Sequence, residues 1–179
     1  KDLVHWTVGG KIFPEDSEYK GMRCCNAATN GNTSYVMYHS VATDEHVLFI
    51  GKPDKDSRWS RQILHLEDED SSLFIDDGRF YIVSYNGSIN LTEFSDNYSS
   101  PESSPRTIIE DVETDNRLSN IKAYHIDGYY YILATEHMED GTVREICFRS
   151  NTIDGDYEMK VIADGNLPEW KKGTANASL

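Results

Sequence analysis

Three turn signals, Asn30-Gly31, Asp77-Gly78 and Asp127-Gly128, separate runs of apolar, β-branched and aromatic residues along this chain. SYVMY follows the first, RFYIVSY the second and YYYIL the third. Asn-Gly and Asp-Gly favour two-residue hairpin turns, because both central positions there need positive φ. Apolar stretches also precede the second and third turns, SLFI and IKAYHI. After each hairpin come two more strand-like segments: HVLFI and RQILHL, INLTEF and RTIIED, REICFRS and YEMKVIA. The pattern predicts four strands per unit, with the turn glycines 47 and 50 residues apart.

Few segments carry helical periodicity, and the 11 tyrosines add to the β-forming bias. An all-β fold follows. A four-stranded unit recurring at this spacing is the signature of a β-propeller blade. A sandwich of successive hairpins is the rival architecture. The propeller reading divides the single domain into a blade end at 1–17, blades over 18–66, 67–113 and 114–164, and a tail at 165–179. Three units do not close a ring, and an open ring would expose two edge strands. The chain is therefore expected to be a segment of a larger propeller, or to complete itself by self-association.

Charge narrows the partners. There are 31 acidic and 17 basic residues, a formal net charge of -14. No Lys/Arg cluster is dense enough to track a phosphate backbone, which argues against nucleic acid and against anionic membrane surfaces. No apolar run approaches the roughly 20 residues that span a bilayer. Asn-x-Ser/Thr sequons at Asn32, Asn86, Asn90, Asn97 and Asn176 point to a secreted, extracellular glycoprotein.

Three cysteines are too few for a disulfide scaffold and fit no zinc spacing. Either Cys24 or Cys25 bridges Cys147, or all three stay reduced. The acids from Glu67 to Asp70, with Asp76 and Asp77, lack the alternation and terminal glutamate of a calcium loop and read as turn-forming, solvated groups. No metal and no cofactor is expected. His39, His46, His65 and His125 show no pairing with a nucleophile. Trp6, Trp59 and Trp170 read as blade-end packing, and Tyr130 of the tyrosine run as core.

Several segments carry a family resemblance. Asp70 to Tyr81, DSSLFIDDGRFY, resembles the DPSLFxDDDGxxYL motif of glycoside hydrolase family 43. NGSINLTEFS resembles the strand that follows it there. IKAYHIDGYYYIL resembles the EGxHxYKxxGYYYL segment, CFRSNTIDGDYEMKVI the blade end of that family, and KDLVHWT the segment closing its first blade. The resemblance runs from Lys1 to about Asp164.

It implies about three blades and partial ends of a five-bladed propeller, and a hydrolase of xylan-, arabinan- or galactan-type glycans. It also implies inversion, in which a base activates water and a carboxylic acid protonates the leaving oxygen, about 6.5–9.5 Å away. By resemblance, Asp70 matches the third carboxylate, which orients the acid and raises its pKa. The general base matches no residue of this chain, and neither does the histidine of the last blade. Counting back from Asp127-Gly128 puts Ser119 at the position of the general acid. A serine hydroxyl is far too weak an acid for that role, and Glu113 and Glu136 do not sit at the matching place. The chain alone is expected to be inactive as a glycosidase. The alternative is a non-catalytic, carbohydrate-binding or interaction protein on the same scaffold.

Overall fold

The computed structural model describes residues 21–52, 58–66, 70–95, 98, 100–110 and 117–164. The expected blade end at 1–17 and tail at 165–179 lie outside them, as do Trp6, Trp170, Glu113, Asn97 and Asn176. The described residues form twelve strands and no helix, arranged as three four-stranded antiparallel sheets. Each sheet is a meander in which every strand pairs with its sequence neighbour. This is the blade unit that the repeat of turns predicts. The chain falls into two compact units, residues 1–65 and 66–179.

The first unit holds β1 (Met22–Asn30), β2 (Thr33–Ser40), β3 (Glu45–Gly51) and β4 (Ser60–Leu64). Tyr38, Val47 and Phe49 are buried at its centre, with Val36 and Trp59 packed against them. Trp59 is thus a packing residue, and its ring lies so close over Gly51 that a Cβ there would stand 2.6 Å from Cδ2.

One turn departs from the prediction. Asn30 pairs with Thr33, so the loop residues are Gly31 and Asn32, not Asn30 and Gly31. Only Gly31 has positive φ, +57°. A glycine at the first loop position is what the type II′ hairpin requires. At the other two turns the prediction holds: Asp77 and Gly78, and Asp127 and Gly128, all have positive φ.

The second unit holds two sheets. One is β5 (Asp70–Asp76), β6 (Arg79–Tyr85), β7 (Ile89–Phe94) and β8 (Arg106–Ile109). The other is β9 (Arg117–Ile126), β10 (Tyr129–His137), β11 (Val143–Ser150) and β12 (Glu158–Asp164). Both contribute to one core: Phe74, Tyr81, Val83, Ile89 and Leu91 from the first, Leu118, Ile121, Ile132, Ala134, Ile146 and Phe148 from the second. Ile132 and Ala134 lie two apart on β10, as they must if one face of a strand is to reach a core. Full burial of the valine, leucine, isoleucine and phenylalanine side chains stabilises by roughly 1.5–3 kcal/mol each, and that drives the two sheets together.

Strand β5 lies beside β9 where the sheets meet. The alternate residues Asp70, Ser72, Phe74 and Asp76 share one face of β5, with an acid at each end and an aromatic between. Asp76 takes the far end of the seam. His125 Nδ1 lies 2.6 Å from its Oδ1, and the Tyr130 hydroxyl donates to Oδ2 at 2.8 Å. The His125 ring stacks on Tyr130 at 4.2 Å between centroids, and Phe74 meets Tyr130 edge-on. Tyr130 is the core member of the tyrosine run, as the alternation predicts. Tyr129 is exposed, with the Arg149 guanidinium over its ring.

Burial, together with the Asp76 carboxylate, pushes the Tyr130 hydroxyl up to about 12 from an ordinary 10. A phenol that titrates higher when folded stabilises the fold fully below its unfolded pKa and loses that contribution as pH rises through the folded one. The urea midpoint should therefore fall between about pH 10 and 12, and Tyr130→Phe should flatten that fall. An identical alkaline slope in both proteins would place its cause elsewhere.

Candidate functional site

The site grows from an irregularity in the β9–β10 ladder. Lys122 pairs with Leu133, but Ser119 pairs with Thr135, so three steps along β9 oppose two along β10. The extra residue makes a β-bulge. Asn120 lies within it at φ +54°, a left-handed conformation that asparagine tolerates better than most residues. The bulge turns two backbone N–H groups out of register with β10. Asp70, at the head of β5, receives both: Asn120 N–H donates to Oδ2 at 3.0 Å and Ile121 N–H to Oδ1 at 3.4 Å.

Asp70 is buried, 9% exposed. A buried carboxylate needs donors, and displaced backbone amides need acceptors. Each therefore satisfies the other across the seam. This brings the two sequence-predicted site residues together, since Asp70 grips the residue immediately after Ser119.

The bulge also decides what faces Ser119. Its hydroxyl Oγ lies 2.6 Å from Nε2 of His137, an exposed residue at the end of β10. Its direct partner Thr135 is buried and accepts from Asn120 Nδ2 at 3.4 Å. Thr135 in turn donates its hydroxyl to Glu145 Oε1 at 2.7 Å. Glu145, opposite Thr135 on β11, is 2% exposed. Burial pushes its carboxyl above the usual range, offset in part by the Thr135 hydroxyl and by the charge of His137. Ser119, Thr135, His137 and Glu145 are thus one polar cluster on one face of the third sheet.

The opposite face is built differently. Glu136, fully buried, pairs with Arg144 directly across on β11, its carboxylate bonded to Nε. The guanidinium is raised further by that bond. An ion-paired carboxylate enclosed in this way is a structural group, so Glu136 supplies no acid to the Ser119 face. No group of three or more metal-ligating side chains gathers among the described residues.

Of the sequons, Asn32 and Asn86 are exposed on turns. Asn90 departs from the expectation. It is 6% exposed, its Nδ2 donates to Asn86 Oδ1 and to the Ser88 carbonyl, and its Oδ1 accepts the Thr107 hydroxyl. The nitrogen that a glycan would occupy is committed to holding the β6–β7 turn. Cys147 is a free, half-buried thiol whose pKa burial raises. The side chains of Cys24 and Cys25 lie outside the described residues.

Sequence reasoning missed Asn120, Thr135, His137 and Glu145. Counting outward from the Asp127-Gly128 turn would set Ser119 against Glu136. Only the bulge moves it one place, onto Thr135 and beside His137.

The family model of glycosyl hydrolases family 43 matches residues 1–166. Among solved structures, the chain is similar to a bifunctional family 43 protein of Bacteroides eggerthii, with a TM-score of 0.73 and 19% identity over 82% of this chain and 20% of that one. It is also similar to a xylan β-1,4-xylosidase of Bacillus halodurans, at 0.64 and 24%, over 82% and 31%. An exo-β-1,3-galactanase of Phanerochaete chrysosporium aligns at 0.60 and 12%, over 79% and 36%. The chain spans between a fifth and about a third of the length of these proteins. At these identities the structural likeness shows a shared fold.

Two substitutions test the geometry. Asp70→Ala removes the acceptor of two backbone N–H groups, one of them buried, and is expected to cost about 2 kcal/mol in urea unfolding. Arg144→Met removes the guanidinium bonded to the buried Glu136 carboxylate, an expected loss of about 3 kcal/mol. Changes under about 0.5 kcal/mol, the range of ordinary surface substitutions, would show that these contacts do not hold the sheet.

Proposed function

This chain belongs to glycosyl hydrolases family 43, and on that premise we propose that it is a segment of a secreted glycoside hydrolase. Its substrates are plant-type cell-wall glycans of the xylan, arabinan and galactan class, and its mechanism is inverting. In this reading Asp70 is a positioning residue. Its carboxylate fixes the bulge that follows residue 119, and thereby the place from which the leaving oxygen is protonated. That grip on Asn120 and Ile121 is the single observation that carries the proposal.

The chemistry asks for water to attack the anomeric carbon on one face while the leaving oxygen gains a proton on the other. Ser119 leaves the protonation without the carboxylic acid of the family motif. That one substitution favours a second reading, a carbohydrate-binding protein on the same scaffold that is inactive as a glycosidase. The acidic surface suits neutral glycans, which are not repelled by it. Among the described sequons, Asn32 and Asn86 are exposed and suited to carry glycans.

The two readings part on turnover. The full-length natural protein should hydrolyse 2,4-dinitrophenyl xyloside or arabinofuranoside, whose leaving group departs without a proton donor. NMR should show the inverted anomer as first product. Binding of xylo- or arabino-oligosaccharides without turnover would favour the second reading, and neither binding nor turnover would remove both.

A further inference from the structure

The proposed hydrolase needs a proton donor at position 119, and the cluster around Ser119 contains one. We infer that His137 is a catalytic residue, the general acid that protonates the leaving glycosidic oxygen, with Ser119 holding its imidazole in place. This rests on the glycosidase reading above and supplies the step that reading leaves open.

The geometry is a matter of reach. In a glutamate at position 119, each carboxyl oxygen would stand about 2.4 Å beyond Cγ by ordinary bond lengths. The Ser119 hydroxyl Oγ occupies the place of that Cγ, and His137 Nε2 lies 2.6 Å from it. Nε2 therefore stands about as far from Ser119 Oγ as a carboxyl oxygen would stand from that Cγ. His137 is exposed, so a substrate can meet it, while Thr135 and Glu145 behind it are buried. Glu145 lies in the same cluster, bonded to the Thr135 hydroxyl. Glu136, on the opposite face and bound to Arg144, takes no part.

The bulge makes the arrangement possible. With Ser119 opposite Thr135, its hydroxyl lies on the same face as His137 and diagonal to it. One residue of slip would turn it to the other face. Asp70 thus acts on the donor through the backbone it fixes.

The step balances simply. Water, deprotonated by the base carboxylate of the family, forms the new bond to the anomeric carbon as the bond to the leaving oxygen breaks. That oxygen takes the proton carried by Nε2. The imidazolium becomes neutral imidazole, and solvent restores its proton after product leaves. Imidazole is the side chain most often used for such transfers.

The test compares leaving groups in the full-length protein. Substrates that depart only when protonated, such as xylobiose or phenyl xyloside, should lose about 100-fold or more in kcat in His137→Ala, the usual scale of general-acid removal. The 2,4-dinitrophenyl xyloside, which needs no proton, should stay within about threefold. His137→Gln keeps a hydrogen bond to Ser119 but cannot serve as an acid, and should behave like His137→Ala. Adding Ser119→Glu to His137→Ala should recover at least tenfold on the demanding substrates, because a carboxylic acid then returns to the family position. An equal fall on both substrates, or unchanged rates in both variants, would overturn the assignment while leaving the hydrolase reading intact. Absence of turnover by the wild-type protein, even with the dinitrophenyl leaving group, would overturn both.

Discussion

Everything around Ser119 depends on one carboxylate accepting two backbone amides. Asp70 lies on β5 and the amides on β9, about fifty residues later. Without an acceptor there, the Asn120 and Ile121 N–H groups would lose this partner, and a buried amide left unpaired costs about 1–3 kcal/mol. The ladder would be driven towards regular pairing, and Ser119 would face the other way. Asp70 thus stabilises a local departure from ideal β structure, and the departure determines which side chains meet.

The same strand shows how a seam between two sheets can be held at both ends and packed in the middle. Asp70 binds backbone, Asp76 binds the His125 and Tyr130 side chains, and Phe74 between them enters the shared core. The two acids differ in what they specify. Backbone amides fix the course of the partner strand whatever its side chains are. Side-chain donors at the other end add their hold only while Tyr130 keeps its proton and His125 its orientation.

Alternation along β10 sorts the polar groups into two compartments. Glu136 turns to one face and is neutralised by Arg144, while Thr135 and His137 turn to the other with Glu145. Two buried carboxylates therefore sit one residue apart in register yet in different electrostatic settings. One has a guanidinium bonded to it. The other has a neutral hydroxyl and a histidine near it, and burial raises its carboxyl above the usual range.

The sequence by itself determined the strands, the meander order and the repeat, because turn chemistry and β-forming runs are local properties. The two Asp-Gly turns follow from the positive φ each position demands. The motif from Asp70 to Tyr81 and the segment around Gly128 carried the family. What only the tertiary structure decided lies where pairing departs from simple counting. The first hairpin centres on Gly31 and Asn32, one residue beyond the expected pair, and Asn90 proves to be a buried structural amide inside a glycosylation signal. Above all, a single extra residue in β9 moves Ser119 from Glu136 to Thr135 and His137. A bulge leaves no mark in local sequence when the group that stabilises it comes from another sheet. Strand parity is all or nothing, so that distant carboxylate settles which neighbours Ser119 has.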